Sequence, residues 1–177
     1  MFKSAILACL ACGAASAAVS QDIADWQSDV GGWHVAVDRT IKDSCFIISE
    51  FESDVLLRLQ INATLNEVQL IVADMGWSAL EAGAKYPLEL VLDDNDAWIG
   101  EGLARYWSGV LPSLVVSIPV REHAAAQFMG EFAGGHSIAI SNAGTPLANL
   151  ELSGTGAAVR ELMTCQSAFE NGTAGFS

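Results

Sequence analysis

The chain has 177 residues, a formal net charge of −13, 51% hydrophobic residues and only 4 prolines. That apolar content is too high for a disordered chain, and the length suits one domain with a core of its own. So negative a charge repels nucleic acid and anionic lipid and excludes them as natural partners.

Residues 1–20 read as a secretory signal peptide. Lys3 forms a short positive n-region, Ala5 to Ala18 is small and apolar, and Ala18-Val19-Ser20 has the small-x-small pattern that signal peptidase reads. The segment is too short for a transmembrane helix, and no later apolar run approaches the ~18 residues that would span a bilayer. The expectation is one soluble β-rich domain, 21–177, periplasmic or secreted, whose charge becomes −14 once Lys3 is lost. A lipid-anchored alternative rests on Ile6-Leu7-Ala8-Cys9, which has the residue types of an acyl-attachment site. The apolar run before Cys9 is shorter than the ~7 residues of an ordinary h-region, which weighs against it. Cleavage removes Cys9 and Cys12 and leaves Cys45 and Cys165. In an oxidising compartment a remaining pair of this kind is expected to bond.

Residues 22–29 are polar and read as irregular chain or a short helix. Gly31-Gly32 opens a strand over 33–38, where Trp33, Val35 and Val37 alternate with His34 and Ala36. A second strand is expected over 45–51, followed by a turn at Glu52-Ser53-Asp54. Val55, Leu57, Leu59 and Ile61 then alternate with Arg58, Gln60 and Asn62. The pattern repeats with Val68, Leu70 and Val72, which predicts a hairpin about 64–66. Trp77 to Gly83 reads as a loop or one helical turn. Strands over 86–92 and 98–107 flank the turn Asp93-Asp94-Asn95-Asp96, and Gly100, Gly102 and Ala104 share a face that admits a bulky neighbour. Residues 114–120 are β-branched and apolar, with Pro112 and Pro119 limiting the ladder.

The period then changes. Ala124, Phe128 and Phe132, with Ala125 and Met129 beside them, predict an amphipathic helix over about 121–132, ended by Gly134-Gly135. A hairpin of 136–141 and 147–152 turns at Gly144. Thr155 is expected to cap a helix over about 155–169 with an inward stripe of Ala158, Leu162, Cys165 and Phe169. Short turns between about nine strands predict an α+β fold: mainly antiparallel β, a sandwich or strongly curled sheet, with two packed helices.

Chemistry-bearing motifs are sparse. His34, His123 and His136 lack metal-ligand spacing, and Glu122-His123 lacks the second histidine of a zinc-protease motif. The Asp93–Asp96 run lacks the glycine and glutamate of a calcium loop and reads as a turn. Ser153-Gly154-Thr155-Gly156 lacks the lysine of a phosphate loop and the flanks of a nucleophile elbow, so it reads as helix capping. No catalytic, cofactor-binding or metal-binding residue is assigned. The residues singled out are Trp77, Trp98 and Trp107, at strand ends or loops, as a candidate groove for a partner or ligand.

The segment GGWHVAVD at Gly31 to Asp38, the cysteine at 45 and the closing LELSGTGAAVRELMTCQ at Leu150 to Gln166 carry a resemblance. This pattern resembles the invasion-associated locus B-like exported proteins and related uncharacterised periplasmic families of Gram-negative bacteria. The resemblance implies a β-sandwich-like periplasmic protein and brings no active site with it. The functional expectation is a non-enzymatic exported protein that binds a protein partner or assists at the cell envelope. The alternatives are a hydrolase using carboxylates such as Glu101 and Asp96, and an inhibitor or immunity protein for a basic enzyme.

Overall fold

A computed structural model describes residues 22–174 apart from 53, 94, 108 and 122. The expected signal peptide, Cys9, Cys12, Asp94 and Glu122 lie outside the described residues. Five strands run as a meander: β1 (Ile23–Val30), β2 (Trp33–Asp38), β3 (Ser44–Glu50), β4 (Val55–Asn62) and β5 (Glu67–Asp74). A second meander, β6 (Lys85–Leu92), β7 (Trp98–Trp107) and β8 (Leu111–Pro119), doubles back so that β8 pairs with β5. Helix α1 (His123–Gly134) leads to the hairpin β9 (Ser137–Asn142) and β10 (Thr145–Glu151), and helix α2 (Thr155–Glu170) ends the fold. The result is one antiparallel sheet in the order β1-β2-β3-β4-β5-β8-β7-β6-β9-β10, not closed on itself.

Register follows from the alternation read in the sequence. Val37 faces Cys45, Ile47 faces Leu59, Leu59 faces Leu70, and Leu70 faces Val116 across successive strands. A strand's side chains alternate between faces, so this register gathers the apolar set on one side. Both helices cover that side, burying Phe128 and Phe132 of α1 and Ala158, Leu162 and Cys165 of α2. Each large side chain so buried contributes about 1.5–3 kcal/mol. Trp33 lies edge-on to Phe132 at 5.9 Å, and its Nε1 donates to the Ser153 carbonyl at 2.8 Å. Gly102 serves the purpose its size allows: Leu88 occupies the space a Cβ would need.

The Cys45–Cys165 disulfide is present. It ties β3 to α2 across 120 residues, with Cα atoms 6.1 Å apart and both residues fully buried.

Three expectations are corrected. Residues 22–29 are neither irregular nor helical: they supply β1, so the sheet has ten strands rather than nine. The alternation there is masked by register shifts between Asp25 and Gln27 and between Gln27 and Val30. What holds this polar strand is pairing with β2 and Trp26, whose Nε1 donates to Glu161 of α2 at 2.7 Å. Thr155 does not cap α2. Gly154 occupies the cap position at φ +78, and the Thr155 hydroxyl instead donates to the carbonyls of Leu152 and Gly135. Helix α1 also continues past Phe132 to Gly134.

Candidate binding groove

The C-terminus of α1 abuts the N-terminus of α2: a Cβ on Gly156 would lie 2.9 Å from the Ala133 carbonyl oxygen. Between the two helices lies a groove of about 440 Å³. Helix α1 supplies one wall because it is apolar beyond its inward side, presenting Ala126, Met129, Gly130 and Ala133. Helix α2 supplies the other through Val159 and Met163, and the ends of β4 and β5 give Ile61 and Val68. Val120 stands at the margin, 42% exposed, and Met163 is 46% exposed. Leu65, 59% exposed, sits next to Asn66, whose carbonyl accepts the Val120 N–H at 3.0 Å. Exposed apolar residues that gather around a concavity, rather than scatter singly, mark a contact surface.

Glu170 is the one charged residue among the described residues lining the groove. Neither helix has a basic residue in its last turn. The C-terminal carbonyls of Ser167, Ala168 and Phe169 are capped by the N–H groups of Asn171 to Ala174, so Glu170 carries the charge at that end. The arrangement can bury an apolar group; it offers no nucleophile and no acid–base pair.

The three tryptophans occupy separate places. Trp77 lines a cleft of about 330 Å³ with Leu80, Tyr86 and Leu147. Trp98 packs edge-on to Phe128 at 5.4 Å and donates from Nε1 to Glu131 at 2.7 Å, beside an open cleft that includes Asp96 and Gln127. Trp107 lies on the opposite face of the sheet, 5.2 Å from the Arg58 guanidinium. The sequence singled out aromatics; it did not single out Gly130 or Met163. Their signals were a glycine inside a helical pattern and a methionine on the outer side of an amphipathic helix.

The face of the sheet away from the helices carries a polar layer. Arg58, 2% exposed, donates to Asp38 at 2.7 Å and lies 3.7 Å from the centre of the Phe46 ring. Burial holds its pKa below the ordinary value, with the Asp38 carboxylate opposing part of that shift; an arginine stays charged through such a shift. Next to it, Gln60 and Asn62 both donate to Gln69, which donates in turn to Glu67 and Ser117. Arg58 Nε and Gln60 Oε1 are left without a hydrogen-bond partner, but the remaining bonds run between members of the layer, which makes it architectural.

The histidines do not converge. His34 Nε2 lies 3.0 Å from Asp25, and His136 Nδ1 lies 3.7 Å from Asp93. Among the described residues no three His, Cys, Asp or Glu side chains gather as a metal site. Asp93 serves the turn: its Oδ1 accepts from the backbone N–H groups of His136 and Ser137 at 2.9 Å. Those bonds, His136 first, hold its pKa below the ordinary value. Glu101 is exposed and paired with Lys85 at 2.8 Å.

Fold and groove together define a class: an open antiparallel sheet stapled to a helix pair, with an apolar groove left between the helices. Comparison of the chain with protein-family models, curated proteins and solved structures gives no match.

Proposed function

We propose that this is an exported, non-enzymatic binding protein that takes an apolar part of a protein partner into the groove between α1 and α2. The groove carries the reading: about 440 Å³ of open, mainly apolar space bounded by Met129 and Met163, with Val120 exposed at its margin. The two sheet edges are poor alternatives for a partner. β1 is interrupted by two register shifts and carries Asp25 and Asp29, while β10 has Pro146 and a shift before Ala148. Such features discourage strand addition. The disulfide and the leader-like residues 1–20 support export to a periplasmic or secreted location. The curled-sheet version of the fold, and the resemblance to invasion-associated locus B-like proteins, fit an envelope role. Against the hydrolase reading, Lys85 holds Glu101 at the surface while Asp96 sits in the loop beside Trp98.

The test uses the neutral, environment-sensitive dye Nile red and a Gly130→Trp variant. Nothing lies within 4 Å of a Cβ at Gly130, so the indole enters the groove without disturbing the core. The wild type should bind the dye with an emission blue-shift, and the variant should lose at least about tenfold in affinity with an unchanged melting temperature. Equal binding by both proteins would overturn the groove as the binding site.

A further inference from the structure

We infer that the occupant of this groove is a cationic amphipathic helix of the partner, apolar side down and basic residues over the C-terminal end of α2. The inference rests on the groove being a docking site and goes on to say what docks.

Shape selects a helix. Groove residues on α1 run from Ala125 to Ala133, about 12 Å, and those on α2 from Val159 to Glu170, about 16 Å. That is the span of two to three helical turns, and a third helix laid between two others engages through apolar residues at i, i+3, i+4 and i+7. Gly130 adds a separate argument. A glycine inside a helix costs about 1 kcal/mol relative to alanine. Gly102 answers to a contact with Leu88 and Gly156 to one with Ala133, whereas Gly100 on β7 and Gly134 at the end of α1 are as open as Gly130. At Gly130 nothing in the chain comes within 4 Å of the missing Cβ, and the vacant side opens into the groove. No contact within the chain fills the space beside this helix-interior glycine, and that space lets a partner helix approach the α1 backbone.

Charge selects the sign. A second copy of this chain would carry the same −13 and be repelled, as would a fatty acid or an anionic lipid surface. At the groove itself the single charged lining residue is Glu170. The last turn of α2 contains no basic residue to neutralise that carboxylate, so a cation brought to this end of the groove meets Glu170 unopposed by a neighbour on the same helix turn. Met129 and Met163 supply side chains that adapt to the partner's apolar face.

The experiment measures binding of four synthetic peptides of about 14 residues to the full disulfide-bonded protein. A Leu/Lys amphipathic helix is compared with Leu/Gln and Leu/Glu versions of the same apolar face, and with a scrambled Leu/Lys peptide that has no such face. The Leu/Lys helix should bind at least tenfold more tightly than each of the others, weaken as salt is raised, and lose at least tenfold against Gly130→Trp. Glu170→Gln should weaken it several-fold without moving the melting temperature. If Leu/Lys and Leu/Gln helices bind alike and both are lost in Gly130→Trp, the groove stands as a docking site but the cationic class is wrong. If the scrambled peptide binds as well as the helix, or Gly130→Trp binds undiminished, the attraction is surface charge and the inference falls. Binding to phosphatidylglycerol vesicles in preference to the peptides also overturns it. Loss of Nile red binding along with all peptide binding overturns the docking reading itself.

Discussion

Gly31 and Gly154 meet backbone to backbone. Gly31 closes the β1–β2 turn at φ +64, and a Cβ there would lie 3.1 Å from the Gly154 Cα. Gly154 stands before α2 at φ +78, and a Cβ on it would run into the Gly31 carbonyl group. The contact joins one end of the sheet to the turn that launches α2, beside the bond from Trp33 to Ser153. It thereby helps set where the second wall of the groove stands.

Gly154→Ala should therefore destabilise the fold by more than about 2 kcal/mol. The left-handed backbone alone costs a side-chain-bearing residue about 1–2 kcal/mol, and the overlap with Gly31 adds to it. Gly144→Ala is the control, because Gly144 has φ +80 with nothing within 4 Å of its Cβ position. Urea unfolding should show the larger loss at Gly154; equal losses would mean that the close approach carries no energy.

The Cys45–Cys165 bond closes a loop between residues 120 positions apart. Chain-entropy arguments assign such a loop up to ~4.7 kcal/mol, and removing a native bond typically costs about 2–5 kcal/mol. The double variant Cys45→Ala/Cys165→Ala should lose stability in that range. Both sulfurs are buried, so a reductant should act on the native protein far more slowly than on protein in urea. Intact mass under denaturing, non-reducing conditions should be about 2 Da below the reduced value; an unshifted mass would contradict the bond.

Arg58 and Asp38 should show strong coupling. Asp38→Asn keeps an acceptor for the Thr40 N–H but leaves the Arg58 charge buried without a carboxylate. Stranding a buried charge costs about 3–5 kcal/mol. Arg58→Met removes the charge while filling the space between Phe46 and Trp107, and should cost less. The double variant should then fall short of the summed single losses by at least ~1 kcal/mol, measured as a double-mutant cycle in urea. Simple additivity would rule out the pair as a unit.

Asp93 should appear in the acid limb of stability. Its folded-state pKa lies below the ordinary 3.8 because the His136 N–H bonds to the ionised carboxylate. The stability it contributes is fully present above the unfolded value and is lost as pH falls through the folded one. Asp93→Asn suits the φ of +51 at this position and cannot titrate. Urea midpoints followed below about pH 4 should fall less steeply for this variant than for the wild type; parallel curves would remove Asp93 from the acid response.

Much of the sheet was legible because period-2 alternation is a local property. Val55, Leu57, Leu59 and Ile61 announce which face of β4 is inward whatever lies next to it. The two helices were legible for the same reason at a longer period. β1 was not, because its neighbours in the fold, not its own residues, make it a strand: Trp26 reaches α2, and two register shifts scramble the pattern. The cap of α2 was misread because the choice of Gly154 over Thr155 depends on a turn more than a hundred residues away. Arg58 looked like one more solvent-facing residue, since nothing nearby in the chain says that Phe46 and Trp107 will enclose it.

By itself, then, the sequence determined the strand faces, the helix stripes and the acidic balance, all of which are set by residues a few positions apart. The tertiary structure alone decided that α1 and α2 would leave a gap over Ile61 and Val68, and that Gly130 would open into it. A groove is space between elements, and space between elements depends on how they dock, which no periodicity along one of them encodes.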